Sequence, residues 1–356
     1  MQAVPQVISL DITPSARFDI INISQVILDR LMVECALYRK ATYTSFHTTA
    51  GYLDQSLVSR LRYEKERIAA YINAFKKLFP SQADYFHDQM ELRGELSDLE
   101  RTLEPKNADS HLTFIGSGLK NCVNYSNKPE TPVYFIELDG IHQYGRRQRH
   151  SKVIFYNREE VVFKHRVGVP VTRHMVDSVN LRDPKLGYLE KITALLNKFE
   201  IEYGRVDITL DPTEKHAGLT VNEYETLLMN HDLAEVLKNP LEFMSEKGKY
   251  IIHHPERLAQ RTKEYAKYDL VHIFNELMDA FHISQSGLEK ILAKFIAFPA
   301  ERFLRVKRNV SFLVSNTQNG NFPEILRGKY QSPILVQWKP PGEQTRYLNL
   351  TITRFI

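Results

Sequence analysis

Apolar and polar residues alternate over positions 6–12, which predicts an opening strand; over 20–35 the period lengthens to that of a helix with Asp19 as its N-cap. Residues 41–46 (ATYTSF) are β-rich and lead into the polar turn His47-Thr48-Thr49-Ala50-Gly51. Helical spacing then runs over 57–78 and stops before Pro80. Three more strands are predicted at 111–115, 132–138 and 151–155, set apart by Gly, Asn and Pro. Strands that cluster, with helices apart from them, predict an α+β fold and not a series of βαβ units.

The second half repeats this order. A strand at 161–171, a helix at 186–199 and a strand at 203–210 lead to the turn Glu214-Lys215-His216-Ala217-Gly218 and a helical run at 224–237. Aligning Ala50-Gly51 on Ala217-Gly218 pairs His47 with Glu214, and His87 and His253 then stand 40 and 39 residues further on. Thr113-Phe114-Ile115-Gly116-Ser117 pairs with Ser311-Phe312-Leu313-Val314-Ser315, and Thr131-Pro132 pairs with Ser332-Pro333. Strands at 151–155 and 347–353 close the two copies. The pattern predicts two tandem modules, 1–157 and 158–356, the second with a helical insertion at about 258–298.

Length and composition fit this division. A chain of 356 residues has room for two cores, and 43% hydrophobic with 25% charged residues is the composition of a soluble globular protein. No apolar window reaches membrane-spanning length, and Asp11 interrupts the one run near the start that could resemble a signal peptide. A cytoplasmic protein is expected, with Cys35 and Cys122 as reduced thiols. A net charge of +4 is too small to predict a nucleic-acid or membrane partner. The chain has no Walker-type loop, no dinucleotide-binding glycine pattern and no serine nucleophile elbow, which removes several large enzyme classes.

Two sets of residues carry a resemblance. The first half holds His47-Thr48-Thr49-Ala50, His87-Asp88 and His111; the second holds the stretch AGLTVNE, ending in Asn222-Glu223, followed by Asp232. Together they resemble the motifs of the YjbQ-like family, also called secondary thiamine-phosphate synthase, over nearly the whole chain. The motifs are divided between the copies. Where the family has Asn-Glu, the first copy has Gln55-Ser56; in the second, Glu214 and Asn309 stand at the first and last histidine positions, and His253-His254 or Ile252-His253 at the His-Asp pair. Neither copy keeps the family's Gly-Thr-Trp-Gln. The resemblance implies, for each module, a β-sandwich-like antiparallel sheet flanked by helices. It also implies trimeric single-copy relatives, so that a fused pair would replace two protomers of a homo-oligomer.

Each candidate site residue has a structural competitor. His47, His87 and His111 come from separate elements and are of the type that ligates Zn or Mg/Mn; the alternative is three polar strand-edge residues with unrelated partners. Asp88 would orient His87 by accepting its second N–H, or is a solvated loop aspartate. Glu223, with Asn222, is the candidate general base, against a first-turn glutamate stabilising the helix at 224–237. Thr48 and Thr49, ahead of a helix, could cradle a phosphate on backbone N–H groups. Arg147 and Arg149, with Arg146 and Lys152, could bind an anionic substrate by forked hydrogen bonds, or form a solvated hairpin tip. The resemblance implies a transferase that joins a pyrimidine diphosphate to a thiazole phosphate and releases pyrophosphate, with a divalent ion on the three histidines. Two other readings stay open: a metal-dependent hydrolase or lyase of a small phosphorylated molecule, and a non-catalytic binding or assembly protein with relic motifs.

Overall fold

The computed structural model describes residues 4–31, 34–81, 83–93, 97–142, 145–174, 177–222, 232, 307–316 and 323–356. The helical run expected at 224–237, apart from Asp232, and the insertion expected at 258–298 lie outside these residues, as do Glu223, His253 and His254. The chain forms two compact units that cut across the 157/158 boundary. The first comprises Met1–Ser59, Leu119–Tyr224 and Val306–Ile356; the second comprises Arg60–Gly118 and Glu225–Arg305.

The first unit is α+β and built from antiparallel sheets. A four-stranded sheet has the order β1 (Gln6–Ile12), β9 (Arg149–Tyr156), β3 (Lys40–Ser45), β5 (Cys122–Ser126). A small sheet orders β2 (Asp19–Asn22), β6 (Tyr134–Glu137) and β4 (Ala50–Gly51), and β7 (Ile141–His142) pairs with β8 (Gly145–Arg146). A five-stranded sheet runs β10 (Glu159–Pro170), β17 (Thr345–Phe355), β12 (Tyr203–Leu210), β14 (Asn309–Asn316), β15 (Pro323–Leu326). Its companion orders β11 (Asp177–Asn180), β16 (Gln331–Gln337) and β13 (Ala217–Asn222).

Leaving out the edge strand β15, the strands β10-β17-β12-β14 follow the same order of neighbours as β1-β9-β3-β5, and β11-β16-β13 the same as β2-β6-β4. The register agrees as well. Ala50 faces Glu137 and Gly51 faces Ile136, as Ala217 faces Gln337 and Gly218 faces Val336. Isolated bridges join Tyr52 to Lys120 and Leu219 to Lys307.

Strict alternation builds these strands: in β12 every second residue, Gly204, Val206, Ile208 and Leu210, is buried. The apolar face of β12 packs with Val169 of β10, Phe312 of β14 and Leu348, Leu350 and Ile352 of β17. A second cluster, Ile154, Tyr156, Leu313 and Phe355, joins the two large sheets, with the Tyr156 and Phe355 rings stacked at 3.9 Å. Helix α6 (Tyr188–Lys198) follows Gly187, whose φ of +64° turns the chain, and buries Ile192 and Leu196 one turn apart.

Several elements differ from the sequence reading. The helix expected over 20–35 begins later, as α1 (Ile23–Leu31), because 19–22 pair with β6. Its cap is Asn22, whose Oδ1 accepts from Gln25 N at 3.1 Å, while Asp19 accepts instead from Ser15 N and Oγ. The helix expected over 57–78 is two, α2 (Gln55–Arg60) and α3 (Lys65–Leu78), divided where Arg62 and Tyr63 take φ near +57° and +56°.

The strand expected at 111–115 is helical. Residues Ala108–Gly116 form α5, the third helix of the second unit beside α3 and α4 (Asp98–Leu103). Its pairing with 311–315 therefore fails: the strand that occupies the place of β14 in the first half is β5. Gly116 lets α5 lie against the Phe75 and Phe79 rings, and Tyr71 donates to Ser117 O at 2.7 Å. No helix among the described residues is long and apolar enough to cross a membrane.

Candidate functional site

Candidate chemistry falls in two places, one in each unit. In the first unit, Arg149 opens β9 and points back across the β6–β9 connection. Its guanidinium is buried and donates to both carboxylate oxygens of Glu137, to Thr49 Oγ1 at 3.2 Å and to Asp139 O at 3.1 Å. Glu137 is fully buried and also accepts from Asp139 N at 2.7 Å. Burial pushes the Glu137 carboxyl up from its ordinary value, against the pull of the Arg149 charge. Arg147 closes on Asp139, with Nε to the carbonyl at 2.8 Å and Nη2 to the carboxylate at 2.6 Å.

His47 sits on this network half-buried. The His150 backbone N–H donates to His47 Nε2 at 2.7 Å, and Arg149 Nη1 lies 3.4 Å from Nδ1. Burial first, then the charges of Arg149, His150 and Arg147, hold the His47 pKa down to about 3. The imidazole is thus neutral near pH 7, with Nε2 engaged by the His150 N–H.

That depression has a measurable consequence. The unfolded chain takes up a proton at this residue near pH 6.5 and the folded chain does not until about pH 3. Stability from this group is therefore complete above pH 6.5 and drains away as pH falls toward 3. With allowance for partial exposure, on the order of 2 kcal/mol is lost by pH 4. Urea unfolding at pH 7 and pH 4 should show this loss in the native chain and not in His47→Gln; equal losses in both would remove His47 as the source.

The second half builds the same cage with other residues. Arg346 of β17 donates through Nε to Gln337 at 3.0 Å, through Nη1 to Glu214 at 2.7 Å and Lys215 O at 3.0 Å, and through Nη2 to Lys339 O. Glu214 thus occupies the position of His47, Gln337 that of Glu137 and Lys339 that of Asp139.

Thr48 and Thr49 lead into β4, with α2 beginning only at Gln55, and the Thr49 carbonyl accepts from Leu138 N at 3.1 Å. Arg147 and Arg149 are likewise committed to internal carboxylates and carbonyls. Asn222 ends β13, opposite Gln331.

In the second unit, Phe86–Asp88 form a tight 3-10 turn. His87 is wholly buried, and Asp88, Asp109, His111 and Asp232 are buried with it. His87 Nδ1 meets Asp88 Oδ1 at 2.9 Å, a contact that orients the ring. Asp88 Oδ1 also accepts from Ala108 N at 3.1 Å, tying the turn to the start of α5. The His111 ring, on α5, lies 5.5 Å from that of His87.

Asp232, from the other half of the sequence, accepts from the backbone N–H groups of His87 at 3.0 Å and Phe86 at 3.3 Å. Burial, then Asp109, Asp232 and Asp88, drive the buried Tyr85 hydroxyl well above its ordinary pKa. A carboxylate–imidazole pair, a second imidazole, a protonated phenol and further carboxylates therefore share one buried place, suited to accepting and donating protons.

His47 lies in the first unit, where its Nε2 accepts from the His150 N–H at 2.7 Å, and His87 and His111 lie in the second. Among the described residues, no group of three or more His, Cys, Asp or Glu side chains is placed to hold a metal ion. The Arg149–Glu137 pair escaped sequence reasoning because its partners lie across a strand connection, although Arg346 and Glu214 repeat the theme.

No family model matches the chain, and no curated protein sequence matches it. Among solved structures it is similar to a YbjQ-like protein of unknown function from Sulfolobus solfataricus, with 15% identity over 55% of this chain and 99% of that one and a TM-score of 0.28. It is similar to a hypothetical protein from Aeropyrum pernix, with 14% identity over 54% of this chain and 98% of that one and a TM-score of 0.26. An uncharacterised conserved protein of the YjbQ family from Clostridium acetobutylicum shares 18% identity over 42% of this chain and 98% of that one, with a TM-score of 0.27. These neighbours carry no stated activity, and likeness of this size assigns none to the present chain.

Proposed function

We propose that the chain is a divergent tandem duplication of a YjbQ-like module, and that it acts on a small phosphorylated molecule at His87, Asp88, His111 and Asp232. The duplication reading rests on the recurring strand order, the matched register of Ala50-Gly51 and Ala217-Gly218, and the paired cages around Arg149 and Arg346. The observation that carries the site is the acceptance of two backbone N–H groups of the first-half turn by Asp232 of the second half. Asp232 of the second half thereby meets the His87-Asp88 turn of the first.

In this reading His87, oriented by Asp88, exchanges a proton with the substrate at Nε2, and His111 stands ready as its partner. Asp232 acts as a positioning residue that holds the turn. A divalent ion, Zn or Mg/Mn, would offset the repulsion that several carboxylates exert on a phosphate. The resemblance makes the joining of a pyrimidine diphosphate to a thiazole phosphate the first reaction to assay, and hydrolysis or elimination of small phosphorylated molecules the second. A homo-oligomer derived from a trimer is part of the same proposal.

The test is a rate measurement on both substrate sets for the native chain, His87→Asn and Asp232→Asn, with thermal melts alongside. Both variants should lose activity by about 100-fold or more, the range general acid–base catalysis supplies. Asp232→Asn should act on kcat with its pH profile displaced, since a purely structural loss lowers the amount of folded protein and leaves that profile in place. Full activity in His87→Asn would sink the site. A native chain inert toward every substrate would favour the binding or assembly reading, which gains support from the commitment of Arg147 and Arg149 to internal partners.

A further inference from the structure

A separate cavity of about 370 Å³ lies in the first unit, between α6 and the sheet face formed by β10, β12 and β17. Its volume falls within the roughly 300–1,000 Å³ range of small-molecule sites. The walls come from alternate residues of β10, among them Phe163 and Val167, and from Leu189, Ile192 and Leu195 on α6.

The wall itself is apolar, and the chemistry of the occupant follows from that wall together with the exposed basic residues that border it. Tyr188 turns its hydroxyl away to donate to Gly168 O, which leaves His165 and Lys191 as the remaining lining residues with ionisable side chains. Both side chains are exposed, both belong to basic residues, and no Asp or Glu lines the cavity. The geometry points to a binding site for a single-chain amphiphile, with its hydrocarbon tail between α6 and the sheet and an anionic head group at Lys191. A second copy of this chain, laid over the same opening, would lack that single buried tail and its charged end.

Laurate, dodecyl phosphate and dodecanol, each below its micellar concentration, are titrated calorimetrically into the full chain, with sedimentation run in parallel. Laurate and dodecyl phosphate should bind one to one, and dodecanol about tenfold more weakly. Preference between the two anions identifies the head group. Lys191→Glu should weaken both anions about tenfold and leave dodecanol unchanged. Leu195→Trp and Val167→Phe, two independent ways of filling the cavity, should each abolish binding of all three while retaining the native melting transition. No binding to the native chain, or binding unaffected by both filling variants, overturns the proposal. So does a native dimer that both filling variants dissociate without any laurate binding, since the occupant is then a second copy.

Discussion

Replacing Arg149 by leucine should destabilise the first unit by about 3–5 kcal/mol, the usual result of leaving a buried charge without its partner. The loss falls on Glu137, which is fully buried and would keep only the Asp139 N–H. Urea midpoints at pH 7 measure it. Glu137→Leu together with Arg149→Leu should recover most of the loss, because removing both charges also removes the penalty of burying them. If the double variant is as unstable as Arg149→Leu alone, packing and the Thr49 and Asp139 carbonyl contacts carry the effect instead. Arg346→Leu provides the parallel case, since it leaves the buried Glu214 carboxylate with the Tyr347 N–H but without its charged partner.

Gly328→Ala should cost about 3 kcal/mol, the upper end for overpacking a site that cannot relax easily. A Cβ there would fall on the Phe46 carbonyl oxygen, so backbone must move against backbone. Movement is resisted because the 328–331 turn is fastened to the same segment: Gln331 Nε2 donates to Ser45 O at 2.9 Å and to His47 O at 3.1 Å. Gly342→Ala is the control, as its added carbon meets nothing within 4 Å and should be neutral or slightly stabilising. Equal melting temperatures for the two variants would show that the 46 and 328 segments yield readily.

The strands with one wet face were legible. β1, β12 and β17 alternate, and the two Ala-Gly segments that the sequence aligned on each other both pair as strands, although they were expected to be turns. What failed was structure without a wet face. All nine residues of α5 are buried, so no polar stripe revealed a helical period, and Thr113, Phe114 and Ile115 read as strand instead. β16 is buried throughout and contains Pro333, so it offered neither alternation nor an ordinary strand composition. At the site, His87, Asp88 and His111 were readable as residue types, but the meeting of Asp232 with the Phe86–Asp88 turn joins positions about 145 apart and has no local signature. Arg147 and Arg149 misled for a related reason: a basic cluster in sequence gives no sign of the carboxylates that it will meet.

The position of β17 bears on how the chain comes off the ribosome. It lies between β10 and β12, which do not pair with each other, and it is the last of the described strands. The first half has the same arrangement, with β9 between β1 and β3. During synthesis, each large sheet therefore waits for the strand that fills it while two earlier strands hold open, unpaired edges. Such edges are sites of wrong pairing with neighbouring chains, and closure over so long a span is slow. Yield of correctly folded protein should accordingly be governed by what shields β10 and β12 before translation reaches residue 345.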